Sequence, residues 1–267
     1  MAGIGTKETE LIATLSDKRI KVFSIADASR LLGISRGSAS DLVLQLLRKK
    51  KLLRIEKAKY LVIPPEAWKT GEYTEEGIII ASQLIAPYYL SYWTALSFYG
   101  WTEQPSRTIF IATTKLKRPV DIKGVQFRFI RLRPNRFFGF EEQWVGDEKI
   151  SVADREKTIV DCLDQPRYCG EIVEAAKGLW NGRKELDFDK LFTYAQRMGN
   201  GAIIKRLGYL MDILGMQKAG YRKKQQKLIT SGYVALDPGK GRNGSYNKDW
   251  VLIVNVAPEN LTEWKLH

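Results

Sequence analysis

The chain has 267 residues, with 43 lysines and arginines against 30 aspartates and glutamates, a formal charge of +13. At 44% hydrophobic and 27% charged it carries enough apolar material for a packed core, which excludes a disordered polymer. Only two cysteines, Cys162 and Cys169, and one histidine, His267, are present. They exclude a disulfide scaffold, a cysteine zinc cluster and chemistry that needs an interior imidazole.

Residues 1–9 lack the charged start, apolar run and cleavage pattern of a secretory signal, so a cytoplasmic location is expected. The stretch 77–102 has no formal charge and is long enough to span a bilayer. Pro87 interrupts it, as do Ser82, Gln83, Ser91, Thr94 and Ser97, and its flanks Glu75, Glu76 and Glu103 are acidic rather than basic. Two buried helices broken at Pro87 are therefore expected, with no membrane partner.

Residues 1–65 read as three helices and a two-stranded ribbon. Leu11, Ile12 and Leu15 form the apolar stripe of a helix over 7–15, followed by a short extended segment at 21–23. Ser24 can cap a helix over 25–32, which buries Ile25, Ala28 and Leu32 and stops at Gly33. Ser35 can cap a third helix with Ala39, Leu42, Val43, Leu46 and Leu47 inside. Strands at 52–56 and 60–63 follow, joined by Lys57, Ala58 and Lys59.

This order spells a winged helix-turn-helix, whose third helix enters the major groove of double-stranded DNA while the ribbon tip meets the backbone. Residues 1–65 hold 13 basic and 6 acidic side chains, a net +7. The DNA-contacting candidates are Ser35, Arg36, Ser38, Ser40, Gln45, the run Arg48, Lys49, Lys50 and Lys51, and the tip residues Lys57 and Lys59. Arg36, at the start of the third helix, is the expected base reader, whereas Asp41 is open to a structural role. The competing reading of the basic run is a solvated helix end.

Pro64 and Pro65 open a linker at 66–76, and residues 77–267 read as a larger mixed α/β domain, giving an α+β protein overall. Helices are expected at 77–86 and at 92–99, the latter capped by Ser91. Seven aromatics in 88–101 read as core rather than as a ligand groove. Strands at 108–113, 125–132 and 143–145, with turns at Arg118-Pro119 and Lys123-Gly124, predict an antiparallel sheet.

Residues 105–136 carry nine basic side chains and one acid. Arg107, Lys115, Lys117, Arg118, Lys123, Arg128, Arg131 and Arg133 are candidates for a second nucleic-acid surface, part of it projecting from one sheet face. The competing reading pairs them with the 13 acids of 141–189.

A helix begun at Ser151, with Asp154 in its first turn, places Asp154, Asp161 and Asp164 on one flank and raises a metal-dependent nuclease as an alternative. Acids in a first turn are ordinary caps, however, and the stretch 119–123 lacks the upstream acid such a nuclease needs, so no catalytic residue, metal or cofactor is expected. Further helices are expected at 171–179, 189–198 and 202–214. Basic residues Lys218, Arg222, Lys223, Lys224 and Lys227, a flexible glycine-rich turn at 237–244 and a last strand at 250–256 complete the chain. The glycine-rich turn lacks the Gly-Lys-Ser/Thr ending of a nucleotide loop.

Taken together, the order of segments resembles the AbiEi family, the antitoxin and transcriptional-regulator half of type IV toxin–antitoxin systems. The resemblance spans nearly the whole chain. It rests on the winged-helix start, Tyr89-Leu90-Ser91-Tyr92-Trp93-Thr94-Ala95-Leu96, the run 150–161, the helix 204–215 and the closing 247–255. It implies a protein that binds inverted repeats in its own promoter, represses its operon and counters the effect of a nucleotidyltransferase toxin without needing a stable complex with it. No catalytic residues carry over.

Overall fold

A computed structural model of the chain describes residues 5–63, 77–146, 148–217 and 220–266. The expected linker at 66–76 and Lys218 lie outside these residues. The fold is α+β and divides into two compact units, Met1–Leu84 and Ile85–His267. The helix at 77–84, read from sequence as the start of the larger domain, groups with the first unit. No helix among the described residues is long and apolar enough to cross a membrane.

The first unit runs α1 (Thr6–Asp17), β1 (Val22–Phe23), α2 (Ile25–Leu32), α3 (Arg36–Arg48), β2 (Leu52–Glu56), β3 (Lys59–Val62) and α4 (Gly77–Leu84). Capping chemistry sets the bounds of α2. The Ser24 hydroxyl accepts from the Asp27 N–H at 3.2 Å while the Asp27 carboxylate accepts from the Ser24 N–H at 2.9 Å. Gly33 ends the helix at φ 64°, the left-handed region that glycine enters without penalty. Ser29 then donates to the Ile34 carbonyl at 2.6 Å, which fixes the turn into α3.

Leu11, Leu15, Ala28, Ala39, Val43 and Leu46 close the core of this unit with no exposed surface. The ribbon gains a third strand, because β1 pairs antiparallel with β3 through Val22 and Leu61. The sheet order is β1-β3-β2.

The second unit begins β4 (Tyr88–Leu90), α5 (Trp93–Phe98), β5 (Thr108–Thr113), β6 (Val120–Ile122), β7 (Val125–Arg131), β8 (Phe140–Val145), β9 (Glu148–Ala153) and α6 (Arg155–Asp164). It continues α7 (Glu171–Asn181), α8 (Phe188–Arg197), α9 (Gly201–Ile213), α10 (Tyr221–Gln226), β10 (Val234–Ala235), β11 (Ser245–Asn247) and β12 (Leu252–Val254). The main sheet has six strands in the order β6-β7-β5-β4-β9-β8. It is mixed rather than antiparallel: β5 runs parallel to β7 and β4 parallel to β9. The β6–β7 hairpin causes the first of these, since β6 takes the outer edge and its return strand β7 lies beside β5.

Other local expectations change as well. Pro87 leads into strand β4 instead of breaking a pair of helices. Ser151 lies in β9, and the cap of α6 is Asp154, whose carboxylate accepts from the Lys157 N–H at 2.8 Å. Tyr92 rather than Ser91 precedes α5, and the Ser91 hydroxyl is used elsewhere.

Helices α6, α7 and α9 are among the elements that enclose the core, with Ile159, Leu163, Ile172, Leu179, Ile203 and Leu210 fully buried. Gly208 in α9 has no room for a side chain, because a Cβ there would overlap the Trp250 ring. Side-chain hydrogen bonds cross the glycine-rich turn. Asp237 accepts from the Gly239 N–H at 2.9 Å, and the Asn255 amide donates to the Asp237 and Gly241 carbonyls, each at 2.6 Å.

Candidate nucleic-acid interface

Helix α3 buries Ala39, Leu42, Val43 and Leu46 and turns Arg36, Gly37, Ser38, Asp41, Leu44, Gln45 and Arg48 to solvent. At 100° per residue, Gly37, Leu44, Arg48 and Asp41 centre the outward face, with Gln45 at its margin and Arg36 at the leading turn. Among the described residues, no carboxylate lies within ion-pair distance of Arg36 or Arg48. Ser35 is exposed but spent on capping: its hydroxyl accepts from the Ser38 N–H at 3.1 Å and shares a 3.0 Å hydrogen bond with the Ser38 hydroxyl. Ser40 is half-buried. A groove of about 490 Å³ between the start of α1 and α3 is lined by Lys7, Glu8, Ser38, Asp41, Gln45 and Lys49.

The basic run 48–51 does not act as one patch. Lys49 places its ammonium 2.6 Å from the Glu8 carboxylate, whose side chain is only 3% exposed. Burial pushes the Glu8 carboxyl up, but the Lys49 hydrogen bond and charge and the Gly5 N–H outweigh it and hold the group below its ordinary value. Lys51 is buried, and Arg48 and Lys50 alone of the four are exposed. At the ribbon, Lys57 is exposed, whereas Lys59 pairs with Glu56 at 3.4 Å and donates to the Gln83 carbonyl at 2.8 Å. The structure therefore leaves Arg36, Ser38, Gln45, Arg48, Lys50 and Lys57 presented to solvent and takes Lys49, Lys51 and Lys59 into the unit's own contacts. Sequence reasoning missed Leu44, 47% exposed at the centre of the α3 face. Its 200° offset from Leu42 is the signal that could have found it.

In the second unit Arg107, Lys115, Arg118, Lys123, Arg128, Arg131 and Arg133 are exposed. Lys117 is half-buried with its ammonium 5.0 Å from the Phe129 ring centre. They do not share one sheet face. Arg128 and Arg131 sit three residues apart in β7 and so point to opposite sides, Arg128 over the Tyr168 ring at 5.1 Å. Arg136 pairs with the acidic region, 3.5 Å from Asp164.

The three carboxylates of α6 and its cap diverge. Asp154 caps the helix and accepts from the Tyr194 hydroxyl at 3.0 Å. Asp164 accepts from the Asn200 amide at 2.7 Å. Asp161 is fully buried against the Lys157 ammonium and accepts from Ser91 at 2.7 Å and Tyr89 at 3.1 Å. Burial pushes the Asp161 carboxyl above the usual aspartate value, against the pull of Lys157. Burial and the Asp161 charge push the Tyr89 phenol well up, which keeps its proton in place as a donor. Among the described residues no group of three or more His, Cys, Asp or Glu side chains is arranged to hold a metal ion.

These features define a two-unit α+β protein with an exposed, cation-bearing helix in its smaller unit. No protein-family model matches the chain, and no curated protein sequence does. Among solved structures the chain is similar to the crystal structure of the RV2827C protein from Mycobacterium tuberculosis, with a TM-score of 0.69 at 15% identity over 100% of this chain and 97% of that one. At this identity the likeness concerns the fold.

Proposed function

We propose that the chain is a DNA-binding transcriptional regulator that reads duplex DNA with α3. The observation that carries this reading is the exposed side of α3, where Arg36 at the leading turn, Gln45 at the margin and Arg48 on the outward face stand without carboxylate partners among the described residues, on a helix whose other side is closed core. An α-helix fits the major groove, and Arg and Gln offer the bidentate donors and acceptors that distinguish guanine and adenine there. The short α2, the turn at Gly33 and the β2–β3 ribbon with Lys57 at its tip support a winged helix-turn-helix. In this reading Arg36 contacts base edges, while Arg48, Lys50 and Lys57 contact phosphates.

The order of segments that resembles the AbiEi family supports a narrower form. The protein binds inverted repeats in its own promoter, represses its operon and counters a nucleotidyltransferase toxin, with no catalytic step of its own. The exposed cations of the second unit favour one other reading, a non-specific architectural DNA binder that uses both units.

A salt titration of the full chain on its own upstream DNA and on scrambled DNA of equal length separates the two. Regulation requires a preference for the upstream sequence that Arg36→Ala diminishes. Equal affinity for both DNAs, with the same steep salt dependence, would overturn it in favour of the architectural reading.

A further inference from the structure

A second pocket, of about 270 Å³, lies in the larger unit where β7 ends. Four arginines line it, Arg131 and Arg133 from the strand end, Arg136 from the turn after it, and Arg167 from the turn after α6. The one acid in its wall, Asp164, is already engaged by the Asn200 amide at 2.7 Å and by Arg136 at 3.5 Å. Among the described residues Arg131 and Arg133 have no carboxylate partner. The lining therefore holds four arginines against one carboxylate, and Arg136 alone of the four is paired with it.

The backbone adds donors to the same wall. Gln126 and Leu132 donate their N–H groups to Arg107 and Thr113, on the β5 side. The two-residue alternation of a strand then turns the N–H groups of Phe129 and Arg131 to the opposite edge. Pairing with β6 on that edge stops at Phe127, so beyond it β7 has no partner strand there. Phe129 and Arg131 both border the pocket.

The C-terminal end of α6 also faces this region, and its partial negative charge would oppose an anion. That opposition is offset: Arg206 donates to the Leu163 carbonyl at 2.6 Å and so occupies one of the last carbonyls of the helix. A volume of about 270 Å³ is smaller than the ~300–1,000 Å³ of pockets that enclose whole drug-sized ligands, but is ample for a compact anion. Guanidinium forks match phosphate oxygens in paired hydrogen bonds, and outward-facing strand N–H groups complete such a cradle.

We propose that this pocket binds one or two phosphoryl groups of a nucleotide or a nucleic acid. The site is independent of α3 and stands whether or not the first unit reads DNA.

The test is calorimetric titration of the full chain with inorganic pyrophosphate. Saturable binding is expected, and Arg131→Ala/Arg133→Ala should weaken it by about tenfold or more, as the loss of charge-assisted hydrogen bonds requires. Arg36→Ala in the first unit should leave it unchanged. Both replaced arginines are exposed, and an unaltered unfolding midpoint checks that the fold survives. Should that variant fail to fold, Arg131→Lys/Arg133→Lys keeps the charge but removes the forks, and it too should bind more weakly. No saturable binding, or equal affinity in the folded variants, would overturn the site. Displacement of pyrophosphate by ATP assigns it to free nucleotides, and displacement by a single-stranded oligonucleotide assigns it to nucleic acid. A need for the 5′ phosphate on that oligonucleotide separates an end from the backbone. Displacement by none of them would overturn the nucleotide and nucleic-acid assignment.

Discussion

Helices α3 and α6 both mix charged, hydroxyl and aliphatic residues, one reading RGSASDLVLQLLR and the other REKTIVDCLD, yet the two units use them in opposite ways. In α3 four of thirteen residues are buried and the charged ones face water. In α6 every residue after Arg155 is buried, including Glu156, Lys157, Asp161 and Asp164. The difference lies in partners. Asp161 meets Lys157, Tyr89 and Ser91, and Glu156 meets Lys190 at 2.7 Å, so the charges of α6 are neutralised inside the unit. Those of α3 face solvent.

The sharpest way to break this comparison is to remove one partner in α6. Lys157→Met leaves the buried Asp161 without its cation and should cost about 3–5 kcal/mol in urea unfolding, because an uncompensated buried charge is worse than none. Lys157→Met/Asp161→Leu should recover most of that loss. A single variant as stable as the native chain would show that the pair is not what holds α6 inside.

On the α3 side the effects should fall on DNA and spare stability. Arg36→Ala is expected to weaken binding to the preferred sequence by about 1–3 kcal/mol and to relax specificity, whereas Arg48→Ala should weaken all sequences alike and lower the salt slope by about one. Gel shift or anisotropy across a salt series reads both. Equal loss on every sequence from Arg36→Ala would remove its base-reading role.

Lys49 and Glu8 give the smallest and most diagnostic effect, since they lie between the two cases. Glu8→Gln should cost about 1 kcal/mol near neutral pH, the scale of a partly screened ion pair. The Glu8 carboxyl is held below its ordinary value of 4.5, so its contribution is complete above that value and lost as the pH falls through the lower folded one. The gap between native and Glu8→Gln stabilities, followed by thermal unfolding across acid pH, should therefore close at low pH. A gap that stays constant would assign the effect to packing instead of charge.

Much of the first unit was legible because its signals are local. Ser24, Gly33 and Ser35 mark the bounds of α2 and α3 within one turn, and the stripe Ala39, Leu42, Val43 and Leu46 is visible at helical spacing. In the second unit the apolar run at 108–113 also matched a strand, β5. The order of strands was not legible, since whether β7 lies parallel to β5 is decided by where the hairpin lands and not by the composition of either strand. Strand β4 escaped notice because Tyr88, Tyr89 and Leu90 are too few to show an alternation. The division of 48–51 was hidden for a related reason. Four adjacent cations look equivalent until α1 brings Glu8 to one of them.

That link between Glu8 and Lys49 reaches across 41 positions of the chain, from the first helix to the end of the third. It makes α1 a brace that also sets the charge of the neighbouring surface. A chain shortened past Glu8 would lose the brace and its buried carboxylate, so it would fold less well. The opening helix is thus part of the platform on which α3 stands, and shortened forms of the protein are poor guides to the stability of the intact one.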